Sequence, residues 1–152
     1  MEVMIKYNMS FIMVPKVKNE PGVGEEVMKC LYELGVEVEY FNALATRSDS
    51  ADIVVMVKSG DVERVVSGVS KIKGRIGGAK PTVATELAGI VITGLKLKES
   101  SEVLYKSFAV CARFKTNVIT AYTTLTSINL FVESKNLTAD LMEDLRKEFE
   151  EK

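Results

Sequence analysis

The stretch Phe11-IMVPKVKNEPGVGEEVMKCLYELGVEVEYFNALA-Thr46 decides the fold of this chain. Phe11 to Val14 reads as a strand, Val17 to Gly22 as a loop, Val23 to Leu34 as a helix and Val36 to Thr46 as a second strand. The helix rests on Val23, Val27, Cys30, Leu31 and Leu34, which lie on one apolar stripe at a period of about 3.6 residues. Gly35 follows where a helix stops, because glycine enters the left-handed region without steric cost. Val36, Val38 and Tyr40 then alternate with Glu37, Glu39 and Phe41, the pattern of a half-buried strand.

The start of that helix is the chemical feature of the stretch. Pro21 suits a first helical turn, where its φ is preset and its missing N–H is not needed. Gly22 and Gly24 remove side chains beside it, so a ligand can lie against bare backbone. The free N–H groups and the positive end of the helix dipole favour a carboxylate or phosphate there by about 0.3–1 kcal/mol. The same residues also fit a proline-initiated helix after an ordinary loop, with no ligand at all.

The unit recurs, and the recurrence sets the architecture. Met1 to Ile5 reads as a short strand and Ser10 to Val17 as a longer one, with Pro15 pointing to an edge or a bulge. Ile53 to Val57 is a continuous apolar strand, central in its sheet. Ser59-Gly-Asp61 opens a helix carrying Val62, Val65, Val66, Val69 and Ile72 on one side. Valine is a poor helix former, so packing must outweigh propensity there. Lys73 to Lys80, with three glycines, reads as a linker, and Thr82 to Thr85 as a further strand. After Gly89 the order repeats: strand Ile90–Thr93; a helix capped by Ser100 or Ser101 with Leu104, Phe108, Cys111 and Phe114 on one face; strand Val118–Leu125; a strand through Ile128, Leu130 and Val132; and a helix capped by Thr138. Val103 stands 80 positions after Val23, and Ile128 stands 75 after Ile53. The slip is about the length of the Arg47–Ser50 turn. Each half is β-α-β-β-α, with a further strand from Met1–Ile5 or Thr82–Thr85, which gives two ferredoxin-like α+β sandwiches (βαββαβ) in tandem, antiparallel sheets with helices on one face. The expected domains are 1–79 and 80–152, with Met1–Ile5 as a strand the second can claim.

Composition excludes several functions. The 152 residues carry a formal net charge of −1 and form no basic stripe of the kind that grips nucleic acid. No apolar run approaches a membrane span and the start lacks a cleavable signal's layout, so a cytoplasmic location is the default. Histidine is absent, which removes histidine triads, the commonest acid–base group and the usual zinc and iron sets; no metal and no cofactor are expected. Cys30 and Cys111 read as buried free thiols. Tryptophan and glutamine are absent too while Lys and Glu abound, a composition that leans thermophilic. Gly74-Arg-Ile-Gly-Gly78 lacks the Gly-Lys-Ser/Thr of a phosphate-gripping loop. The carboxylates, including Glu25, Glu26, Glu37, Glu39 and those of the last helix through Glu151, fall on polar faces rather than in acid–base pairs.

The segments Asn19-Glu-Pro-Gly22, Val36-Glu-Val-Glu-Tyr40, Tyr122-Thr-Thr-Leu125, Ser127-Ile-Asn-Leu-Phe131 and Leu145-Arg-Lys-Glu-Phe149 occur in an order that resembles the tandem ACT domains at the C-terminus of aspartate kinases. The likeness covers nearly the whole chain. It implies a non-catalytic regulatory module, allosteric and homodimeric through ACT sheet pairing. Such a module binds a free amino acid, lysine or threonine, at an ACT–ACT interface and controls an aspartate kinase catalytic chain; the catalytic domain is absent here. By that resemblance the effector site comprises Asn19, Glu20, Pro21, Gly22, Val23, Gly24, Asn42, Ala43 and Thr124, with the α-carboxylate on the Pro21-Gly22-Val23 amides. Three positions depart from the family pattern: Asn19 replaces an aspartate, Ala43 replaces a glutamine, and Ser101-Glu102 stand for Pro-Gly in the second unit. Those departures fit the alternative, a dimerisation module with a vestigial pocket. A small hydrolase of the acylphosphatase kind lacks its arginine-bearing phosphate loop here, and a single-stranded RNA reader lacks basic surroundings for Phe41 and Phe131.

Overall fold

The computed structural model describes residues 1–150 and is an α+β protein with antiparallel strand pairing. In chain order the elements are β1 (Glu2–Lys18), α1 (Val23–Glu33), β2 (Tyr40–Ala45), β3 (Ser50–Lys58), α2 (Val62–Lys71), α3 (Lys73–Ile76), β4 (Thr82–Thr93), α4 (Ser100–Arg113), β5 (Val118–Thr123), β6 (Ser127–Glu133) and α5 (Ala139–Phe149). The chain divides into two compact units: Met9–Thr85, and Met1–Asn8 together with the residues from Glu86 onward.

In the Met9–Thr85 unit the strand order is β2-β3-β1, with β3 central as its unbroken apolar run requires. β1 pairs with β3 from Met9↔Lys58 to Val14↔Ile53, slips, and resumes at Val17↔Ala51. Pro15 and Lys16 occupy the slip. Proline has no N–H to give a ladder, and Lys16 takes a left-handed φ of 60° there while its N–H donates to Asp52 Oδ1 at 3.2 Å. Ile12 and Val14 of β1 and Ile53, Val55 and Val57 of β3 turn to the helices, where Val27, Leu31, Val65 and Val69 cover them; each is 7% exposed or less.

Three expectations change in this unit. The strand after α1 begins at Tyr40, not Val36. The Val36 N–H closes the helix by donating to Leu31 O at 3.1 Å beyond Gly35 (φ 70°), so it is unavailable to a ladder. Lys73–Lys80 is not a linker: Lys73–Ile76 forms the short helix α3, Ile76 is fully buried, Gly77 bridges to Val17, and the Ala79 N–H donates to Pro15 O at 2.8 Å. The paired segments expected separately as Met1–Ile5 and Ser10–Val17, and as Thr82–Thr85 and Ile90–Thr93, are single strands, β1 and β4.

In the other unit the order is β1-β4-β6-β5. β6 is central, and Ile128 through Val132 are all buried. Thr138 caps α5 as expected, its Oγ1 accepting from the Leu141 N–H at 3.2 Å. Neither Ser100 nor Ser101 caps α4; a 3₁₀ turn at Leu97–Glu99 leads into it. The buried face of α4 is Val103, Ser107, Val110 and Cys111, while Phe108 is 43% exposed. Of the expected face, Cys111 is buried and Leu104 and Phe114 pack partly buried against the same core, while Phe108 turns out of it.

Gly89 lies opposite Phe131 across the β4–β6 ladder, and a Cβ on it would stand 2.8 Å from Phe131 Cε1. Phe131 is buried and stacks on Tyr122 with ring centroids 6.0 Å apart, so it cannot swing away. Gly89→Ala should therefore lower stability by about 1–3 kcal/mol in urea denaturation. Lys115 ends α4 at φ 54°, the place Gly35 takes after α1. Lys115→Gly relieves that conformation and should raise stability by about 0.5–1 kcal/mol in the same assay.

Candidate functional site: the open start of α1

The corner between β1 and α1 is built by local constraints. Asn19 leaves the sheet with its N–H donating to Asp49 O at 3.2 Å, and its Nδ2 donates to Arg47 O and Ser48 O at 3.3 Å each. The side chain thus ties the corner to the β2–β3 turn and keeps only its Oδ1 for a ligand. Gly22 is the N-cap of α1 at φ 93°, a left-handed conformation that favours glycine. Pro21 precedes this cap and stands outside the helix, one step earlier than its sequence position suggested.

Counting the first amides shows what is left. The Val23 N–H donates to Glu20 O at 3.4 Å and the Glu26 N–H to Gly22 O at 3.0 Å. The amides of Gly24 and Glu25 donate to no backbone carbonyl among the described residues. A Cβ placed on Gly22 or Gly24 would meet nothing within 4 Å, so no side chain of the unit fills the corner. Two exposed N–H groups at a positive dipole end can take a carboxylate. Glu25 and Glu26 lie in the same turn and oppose an incoming anion; Arg75 offsets Glu26 at 3.2 Å.

Asn42 and Ala43 sit on β2, exposed, opposite Val54 and Ile53. β3 lies between them and β1, pairing Ile53 with Val14. The corner itself is tied to the β2–β3 turn that follows them, through Asn19. Thr124 belongs to the other unit, in the β5–β6 turn. Its Oγ1 accepts from the N–H groups of Thr126 (3.2 Å) and Ser127 (3.0 Å) and lies 2.7 Å from Ser127 Oγ. Asn129, buried on β6, joins this group through Nδ2 donating to Ser127 Oγ at 3.1 Å.

The loop into α4 is built differently. The Lys96 N–H donates to Glu99 Oε2 at 3.0 Å and the Glu99 N–H returns to Lys96 O at 2.8 Å. Glu102 adds a carboxylate there, held by Lys106 at 2.7 Å.

A groove of about 640 Å³ also runs between α1, α2 and α3, floored by Cys30, Leu34, Gly68 and Ile72 and rimmed by charges of both signs. Burial, and secondarily Glu33, push the Cys30 thiol pKa up, with Arg75 and Lys71 opposing; burial alone raises Cys111. Both cysteines are free. Among the described residues no cluster of three or more acidic or thiol groups is placed to hold a metal, and no helix is long and apolar enough to cross a membrane.

Solved structures supply the comparison. The regulatory subunit of aspartate kinase from Thermus flavus superposes with a TM-score of 0.83 at 19% identity, covering 98% of this chain and 97% of its own. The ligand-free regulatory subunit from Thermus thermophilus gives 0.81 at 18%, covering 97% and 96%. The fold is that of an aspartate kinase regulatory subunit. E. coli aspartokinase III, solved in complex with lysine and aspartate in the T-state, superposes at 0.67 with 14% identity; 98% of this chain covers 33% of that one. No family model matches the chain, and no curated protein matches its sequence.

The thiols give a direct check on the burial described. Ellman's reagent at pH 8 should label Cys30 more slowly than a free cysteine, because its thiolate is disfavoured, and Cys111 only after unfolding. Rapid labelling of both in the native protein contradicts that burial.

Proposed function

We propose that this chain is a non-catalytic regulatory module with two ACT units, which holds a free amino acid of the lysine or threonine class at the start of α1. It passes that occupancy to an aspartate kinase catalytic partner and works as a homodimer. The observation that carries this reading is the pair of unengaged amides at Gly24 and Glu25 beyond a left-handed Gly22. They lie in a chain that shares the fold of aspartate kinase regulatory subunits along nearly its whole length. The effector's carboxylate is attracted by the dipole and satisfied by two N–H groups; its ammonium takes Asn19 Oδ1 and nearby carbonyls.

The second reading, an assembly module with a vestigial pocket, draws on three observations. Asn19 spends both its amide protons on the turn, Ala43 offers no polar group, and Glu25 and Glu26 oppose an anion. Binding separates the two. Lysine or threonine at a hundredfold above its dissociation constant should stabilise the protein by about 2.7 kcal/mol, read as a rise in melting temperature. Gly24→Asp puts a carboxylate beside the open amides with no steric cost, so it should keep the apo fold and remove that rise. No rise with any of the twenty amino acids, together with dimerisation in sedimentation, decides for the assembly module.

A further inference from the structure

Glu63, Ser67 and Lys71 lie at i, i+4 and i+8 along α2 and form one exposed row, on the side of the helix away from buried Val65 and Val69. The charged groups around this row are engaged: Arg64 by Asp61 and the Leu34 carbonyl, Arg75 by Glu26, and Lys29 by Glu33. Glu63 and Lys71 have no ion pair among the described residues. Eight residues of helix hold them about 12 Å apart along the axis, too far to pair with each other.

The row is also a ridge. The groove of about 640 Å³ against α1 and α3 lies on one side of it, and a hollow of about 680 Å³ reaching Val62, Val66 and Ser70 lies on the other. Glu63, Ser67 and Lys71 border both. A ridge between two hollows packs against the ridge and hollows of another helix. The charge order decides which helix that is. Reversed, the row reads cation, hydroxyl, anion, so laid antiparallel on itself it sets each Glu63 against a Lys71, with serine midway. It is its own complement about Ser67, the condition for an isologous two-fold contact. One anion and one cation at opposite ends of the row give no single-sign field to draw a nucleic acid or a lipid surface.

We propose that this face of α2 docks on α2 of a second copy of the chain, antiparallel, with Glu63 of each protomer paired to Lys71 of its partner and Ser67 beside the symmetry axis. The contact is an association step beyond the homodimer proposed above, on a different surface, and it requires no amino-acid effector.

Sedimentation equilibrium of the whole chain tests it, with circular dichroism to confirm that each variant is folded. Lys71→Glu and Glu63→Lys should each weaken this association about tenfold, because each turns two attractive pairs into two repulsive ones. An equimolar mixture of the two variants should regain wild-type association, since their charges are then opposite across the contact. Ser67→Lys, which brings two like charges together at the axis, should weaken association without altering either pair. A wild-type oligomer that none of the three variants weakens is held by another face and overturns the proposal. A wild type that stays monomeric overturns it too, as does a mixture that associates no better than either variant alone.

Discussion

The packing of α1 and α2 onto the inward side chains of β1 and β3 is what lets the α1 corner stay open. A helix that held itself together locally would need its first amides capped. α1 is instead anchored by Val27 and Leu31 against Ile12, Val14, Ile53 and Val55. Burying a side chain of that size contributes about 1.5–3 kcal/mol, so a few such contacts outweigh two solvent-facing N–H groups at the helix start. α2 shows the same balance from the other side. Its valines are poor helix formers, yet Val65 and Val69 are buried in the same core.

The two helix starts are built differently. α4 enters through a 3₁₀ turn in which the Lys96 N–H donates to Glu99 Oε2 and the Glu99 N–H to Lys96 O. α1 enters through a left-handed glycine and leaves Gly24 and Glu25 unspent. Propensity does not separate the two helices, since both run for more than ten residues.

The same accounting reassigns polar groups that look equivalent in sequence. Thr124 carries an exposed hydroxyl at a position where the aspartate kinase resemblance implies a ligand contact, but its lone pairs already serve the turn. Ser127 starts β6 and Asn129 lies within its apolar run, the Asn129 Nδ2 donating to Ser127 Oγ at 3.1 Å. Asn19 shows the reverse case: its amide protons are used to hold Arg47 and Ser48, so only its oxygen remains.

The sequence alone determined the α+β class, the central place of β3, the Thr138 cap of α5, the left-handed Gly35 after α1 and the two glycines that bare its start. These are local properties, set by periodicity, by the φ demanded of glycine and by side-chain oxygens at helix ends. Only the tertiary structure decided where long-range bonds compete with local pattern. Val36 alternates like a strand but is taken by the end of α1, and the glycines after Lys73 look flexible but are pinned by Pro15 and Val17. Phe108 looks buried and faces solvent, because which side of α4 meets β6 depends on the sheet it lands on. The division of hydrogen-bond donors and acceptors among Thr124, Ser127 and Asn129 also lay beyond the sequence, since it requires the turn's atoms to be in place before their protons can be counted.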